Sequence, residues 1–153
     1  MASPSYPAIV APLLPLTERL LLHHFTPSVF PPSILGSAPV IEFATFYGIE
    51  PVELVVRNTG KFQRVLEEAA GRGEGDVRDY LGGVWGEVIE DIAKGGAEEG
   101  KGRALRLCLG WTSKEAHMKF RETQLFKDNV GLLRDGVGSA EVYHVAFKAV
   151  REV

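Results

Sequence analysis

Four histidines are the side chains of this 153-residue chain whose ordinary pKa lies near neutrality. They stand at His23, His24, His117 and His144. A neutral imidazole both accepts and donates a proton, which suits enolisation, cyclisation or proton abstraction beside a carbonyl. His117 is the first candidate for that work, with His144 and His24 as further catalytic candidates. Each has a plainer alternative, a hydrogen bond that ties one element to its neighbour. Trp85, Trp111, Tyr143 and Phe147 offer flat walls for a planar ligand, and Phe120 and Tyr47 join them as candidate substrate-binding residues. Core packing accounts for any one of these aromatics taken singly. Tyr47 and Tyr143 are alternative acids, with a phenol pKa of about 10 when unperturbed.

Several other chemistries lack their spacing. The histidines show no His-x-x-x-His or carboxylate pairing of a zinc site, so no metal is expected. Ser113 lies beside a helix cap rather than in a Gly-x-Ser-x-Gly elbow. The glycines at 95, 96, 100 and 102 fall in a hairpin and not before a helix, so they make no phosphate loop. Glu90 and Asp91 end a strand and shape its turn. Cys108 is the single cysteine, which excludes an internal disulfide, and its place within a strand marks a small buried residue.

Bulk composition narrows the partners. A formal net charge of −3 with scattered basic residues draws the chain to neither nucleic acid nor anionic membrane. No apolar run approaches the roughly 20 residues that span a bilayer. Met1–Leu16 lacks a basic start and carries prolines 4, 7, 12 and 15, so a cytoplasmic protein with a poorly structured segment over residues 1–15 is expected. Residues 16–153 then form a single domain, with an enlarged segment at 26–81. At 45% hydrophobic content it can bury a real core.

The elements that must position the candidates follow from periodicity. Leu16–Phe25 reads as a strand, on which His23 and His24 point to opposite faces and cannot share a pocket. Ser28–Pro39 is a loop, and Val40–Tyr47 has strand composition with a helical alternative through Val55. Lys61–Ala70 is a helix with Phe62, Val65, Leu66 and Ala69 on one face. Val84–Asp91 and Arg103–Trp111 are strands joined by the glycine-rich connection Lys94–Gly102. In the second, Leu105, Leu107, Leu109 and Trp111 share a face. Thr112 is the expected cap of a helix reaching Leu133, with Glu115 completing a capping box and His117 at the margin of the apolar arc. Ala140–Val150 is the last strand, with Val142, His144 and Ala146 on one face and Tyr143, Val145 and Phe147 on the other. This order predicts an α+β fold, a ferredoxin-like antiparallel four-stranded sheet with helices on one face. The other sheet face needs cover, and a partner subunit supplies it most economically.

Gly82–Asp91 (GGVWGEVIED), Leu109–Phe120 (LGWTSKEAHMKF) and Val142–Phe147 (VYHVAF) together resemble the dimeric α+β barrel superfamily. That superfamily holds antibiotic-biosynthesis-type monooxygenases, stress-responsive barrel proteins and plant polyketide cyclases. The chain is most similar to fungal members with a Trp-x-Ser-x-Glu-Ala-His stretch, over roughly 16–25 and 84–150. The resemblance implies a homodimer with a pocket between sheet and helices, and cofactor-independent action on an aromatic or polyketide-like molecule. Trp111 matches the aromatic that walls the pocket in the monooxygenase branch, whose Asn four residues earlier is Leu107 here. The iron-ligating His of the haem-degrading branch falls near Arg121. The Tyr and His of the plant cyclase branch fall on Phe120 and Phe126. What remains expected is a cyclase-like, decarboxylase-like or oxygenating enzyme that needs no cofactor. The alternatives are a non-catalytic ligand-binding barrel and, third, a haem-binding monooxygenase.

Overall fold

Alternation along four extended segments builds the sheet. In the computed structural model, which describes residues 10–18 and 20–147, these are β1 (Val40–Ile49), β2 (Tyr80–Glu87), β3 (Ala104–Trp111) and β4 (Val137–Val145). They pair in the order β2-β3-β1-β4, each neighbour antiparallel. Between β1 and β2 runs α2 (Val52–Gly71), which follows the short α1 (Ile34–Ser37). Between β3 and β4 lie α3 (Lys114–Phe120), α4 (Gln124–Asn129) and a 3-10 turn at Val130–Leu133. This is the expected ferredoxin-like plan.

The inner face of the sheet carries Ala44 and Phe46 of β1 and Leu105, Leu107, Leu109 and Trp111 of β3. All are buried against Val55, Phe62, Leu66 and Ala69 of α2 and Phe120 of α3. Complete burial of a Leu or Phe side chain is worth about 1.5–3 kcal/mol, so this layer dominates stability. The Lys61–Ala70 helix of the sequence pattern is the second half of α2, whose first turn carries Glu53, a favourable charge at a helix start. Among the described residues no helix is long and apolar enough to cross a membrane.

Leu16–Phe25 is not the first strand. Ala11–Leu16 is a 3-10 turn, and the chain beyond it is irregular except for one bridge from Phe25 to Val88. The physical reason is that Leu21 and Leu22 are both exposed, so this apolar run has no face to bury. Val40–Ile49 does have one, and it takes a central place in the sheet. The poorly structured start falls largely on residues 1–9, outside the described ones, as do positions 148–150 of the last expected strand.

Two other local expectations change. Ser113, not Thr112, caps α3: its Oγ accepts from the Ala116 N–H at 3.1 Å, while Thr112 Oγ1 donates to Asp79 at 2.9 Å. The single helix expected to Leu133 is broken after Phe120. There Thr123 Oγ1 donates to the Phe120 carbonyl at 2.7 Å and accepts from the Phe126 N–H at 3.2 Å, capping a second helix.

The outer sheet face is partly covered by the chain itself. Phe25, Ile34, Leu35 and Ala38 pack with Ile41, Val84 and Cys108. Thr26 and Ser28 donate backbone N–H groups to the carbonyls of Glu87 and Trp85. Gly86 makes this possible, because a Cβ there would lie 1.7 Å from the Thr26 carbonyl oxygen. On the half of that face formed by β1 and β4, Phe43 and Val145 pack at the edge of this cluster, while Tyr143 is exposed among the described residues.

Candidate functional site

Register across the sheet brings the titratable groups together. Glu42 of β1 pairs with Leu109 of β3 on one side and His144 of β4 on the other. It is the one carboxylate of β1, and it lies on the inner face with Ala44 and Phe46. Above it, α3 starts directly after β3 through the Ser113 cap, and this short connection sets His117 over the sheet. His117 Nε2 lies 3.1 Å from Glu42 Oε2, and His117 Nδ1 lies 2.7 Å from His144 Nε2. The His117 side chain is 3% exposed and that of Glu42 12%. Trp111 stacks on the imidazole at 5.3 Å between ring centres and Phe120 backs Trp111 at 5.1 Å, so the ring has little freedom to turn.

Burial sets the proton states. Desolvation pushes the Glu42 carboxyl up to about 7, against the opposing pull of the Trp111 indole N–H and the Arg121 charge. The indole nitrogen itself is buried and meets no acceptor in hydrogen-bonding geometry among the described residues. Its pull on Glu42 is therefore that of a nearby dipole. Desolvation moves His117 the other way, down to about 4, helped by His144 and Arg121. His144 is also lowered, first by burial and then by Lys114 and Arg121, with Glu115 opposing. Near neutral pH the imidazole of His117 is thus uncharged and Glu42 divides between acid and carboxylate.

The three groups form a continuous chain of hydrogen-bonding contacts with two alternative proton arrangements. With Glu42 protonated, its O–H donates to His117 Nε2, and His117 Nδ1–H donates to His144 Nε2. With Glu42 ionised, both bonds reverse: His117 Nε2–H donates to the carboxylate and His144 Nε2–H donates to His117 Nδ1. The two patterns differ by one proton moved from Glu42 to His144, which is half-buried and closer to water.

Glu42 and His117 open onto a cavity of about 250 Å³ between sheet and helices. Ala44, Phe46, Ala140 and Val142 line its floor, Phe126, Val130 and Leu133 its roof, and Arg121 and Arg134 also reach it. A larger and shallower groove of about 690 Å³ runs along β2 beneath Thr26–Ser28. Its Glu87 and Arg103 are already joined as an exposed ion pair, and no buried titratable group faces it, so the smaller cavity is the stronger candidate.

The sequence-derived candidates separate cleanly. His117 and His144 meet. His24 does not join them: it is exposed on the irregular segment, with Nδ1 at 2.5 Å from Glu90 Oε1 and its N–H on Glu90 Oε2. Those bonds hold the Glu90 carboxyl down at about 2. Tyr47 and Tyr143 lie on the outer face, and the Tyr47 hydroxyl donates to Glu141 at 2.8 Å, so neither lines the cavity with His117. Trp85 is on the inner face but packs over Gly60 of α2, and Trp111 and Phe120 back the histidine rather than face the cavity. Cys108 is buried, with its thiol pushed up to about 12 by desolvation, and stands apart as a core residue. The residue that sequence reasoning missed is Glu42. Its signal was available as a single carboxylate in the otherwise apolar run VIEFATFY. Among the described residues no group of three His, Cys, Asp or Glu side chains is arranged to hold a metal ion.

Comparison with known proteins places the fold. No family model matches the sequence, and no curated protein is detectably similar to it. Solved structures do match. A candidate antibiotic biosynthesis monooxygenase from Bordetella bronchiseptica superposes with a TM-score of 0.51 at 14% identity, covering 74% of this chain and 100% of that one. A protein from Arabidopsis thaliana superposes with a TM-score of 0.51 at 12% identity, again covering 74% and 100%. The likeness is one of fold, and it is the α+β plan that the sequence resemblance implied.

Proposed function

We propose that this protein binds a small aromatic or polyketide-like molecule in the Glu42–His117 cavity and moves protons on it, in an enolisation, cyclisation or decarboxylation. One observation carries the reading: a carboxyl and two imidazoles are aligned beside a half-open cavity at 3.1 and 2.7 Å. Glu42 is the acid–base group. Ionised, it takes a proton from the carbon beside a ligand carbonyl; protonated, it returns one. A carboxyl held at about 7 suits both duties near neutral pH, where each form is well populated. His117 positions that carboxyl and passes its proton to His144, which exchanges with water. The apolar lining suits a planar carbon skeleton.

The working unit is a homodimer joined through the β1–β4 half of the outer face, where Tyr143 stands 53% exposed.

Deuterium uptake at the methyl carbon of acetophenone in D2O, followed by NMR, tests the chemistry. Uptake is expected to exceed the buffer rate with the protein present and to fall at least about 100-fold in the Glu42→Gln variant. Uptake no faster than in buffer would sink the catalytic reading.

A further inference from the structure

The cavity charge is unbalanced. Arg121 and Arg134 both reach it, and among the described residues neither has a carboxylate within ion-pair distance. Arg121 has only the face of Phe126, with its guanidinium carbon 6.0 Å from the ring centre. The one acidic group on the wall is Glu42, engaged with His117 and set deeper than the two exposed arginines. Burial favours its neutral form, so it leaves most of the arginine charge unanswered. The rest of the lining is apolar: Ala44, Phe46, Phe126, Val130, Leu133 and Val142.

We infer that the ligand of this cavity is a small monocarboxylate with an apolar, single-ring body, held with its carboxylate at the mouth between Arg121 and Arg134. The inference rests on reading the cavity as a ligand site and adds the chemical class of the ligand. Two guanidinium groups present planar forks that match a carboxylate. The volume of about 250 Å³ lies below the range that takes drug-sized ligands, so one ring fits and an extended polycyclic skeleton does not. With the anion held by the arginines, the apolar body of the ligand lies among Ala44, Phe46, Phe126, Val130 and Leu133, in the same cavity as Glu42 and His117.

Calorimetric titration of the full chain with benzoate and with benzamide tests this at low salt. Benzoate is expected to bind at least about tenfold more tightly than its neutral isostere. Arg121→Gln and Arg134→Gln should each weaken benzoate about fivefold and leave benzamide unmoved. Equal binding of the two probes, benzoate affinity indifferent to both arginine variants, or no benzoate binding at millimolar concentration overturns the inference. The catalytic reading fails separately. A His117→Gln variant should lose proton exchange on acetophenone yet keep its benzoate affinity. If arginine-dependent benzoate binding is found in a protein that exchanges no protons, the ligand class stands and the proposed chemistry alone is lost.

Discussion

Glu42 and His144 face each other across the β1–β4 pair, and His117 closes the gap from above by touching both. Two strands and one helix thus supply one group each. None of the three can shift without changing its bond to the next.

Stability against pH should reveal a shared proton. Glu42 has its folded pKa raised from 4.5 to about 7, so its favourable contribution is complete below 4.5 and lost as pH rises through 7. His117 is lowered from 6.5 to about 4, so its contribution is present above 6.5 and lost as pH falls through 4. Between 4.5 and 6.5 the two slopes oppose each other and the site leaves stability nearly flat. Glu42→Gln unmasks the histidine, so stability of the variant should rise by about 2–3 kcal/mol over that interval. His117→Asn should fall by a similar amount. Urea denaturation at several pH values measures both, and parallel curves for wild type and variants would contradict the assignment.

Removing the middle group should break the chain without emptying the cavity. His117→Gln is expected to lower the proton-exchange rate by about 100-fold or more. The pH dependence of the remaining activity should also lose its coupling to His144. A variant with an unchanged rate and profile would reduce His117 to a packing residue.

Gly86 should tolerate no side chain. Its missing Cβ makes room for the Thr26 carbonyl, so Gly86→Ala must push the 25–28 segment off β2. A loss of about 1–3 kcal/mol is expected from the overpacking. Thermal melting measures the loss, and faster amide exchange at Thr26 and Ser28 locates it. Unaltered protection of those two amides would show that the segment is held by something else.

The outer face should mediate self-association. Sedimentation at micromolar concentration is expected to show a dimer, and Tyr143→Asp to shift it towards monomer. A monomer in the unaltered protein would remove the dimer and leave the cavity chemistry untouched.

How much of this was legible in the sequence depended on whether the deciding forces were local. The alternation of Leu105, Leu107, Leu109 and Trp111 marked β3 because both strand faces meet different environments, and the faces of Val142, His144, Tyr143 and Val145 followed by the same rule. Leu16–Phe25 misled because apolar content was taken for a strand where no alternation supported it. Leu16, Leu21 and Leu22 stay exposed, and Val40–Tyr47 alone does not decide between strand and helix. With β1 unplaced, Glu42 had no neighbour. Its pairing with His144 spans about a hundred residues of chain, and no window of sequence contains both. Thr112 was the expected cap, but Asp79, brought near by the fold, engages its hydroxyl, and Ser113 caps α3 instead.

The break between α3 and α4 at Thr123 divides the labour of the site. α3 carries His117, while Phe126 of α4 and the following turn carry the roof of the cavity. Phe126 belongs to both pieces, because it packs edge-on against Phe120 at 5.4 Å and Phe120 backs the Trp111 that stacks on His117. Val130 and Leu133 lie outside that ring stack, so under the proposed function exchanges at these two positions reshape the space offered to a ligand while the imidazole keeps its support.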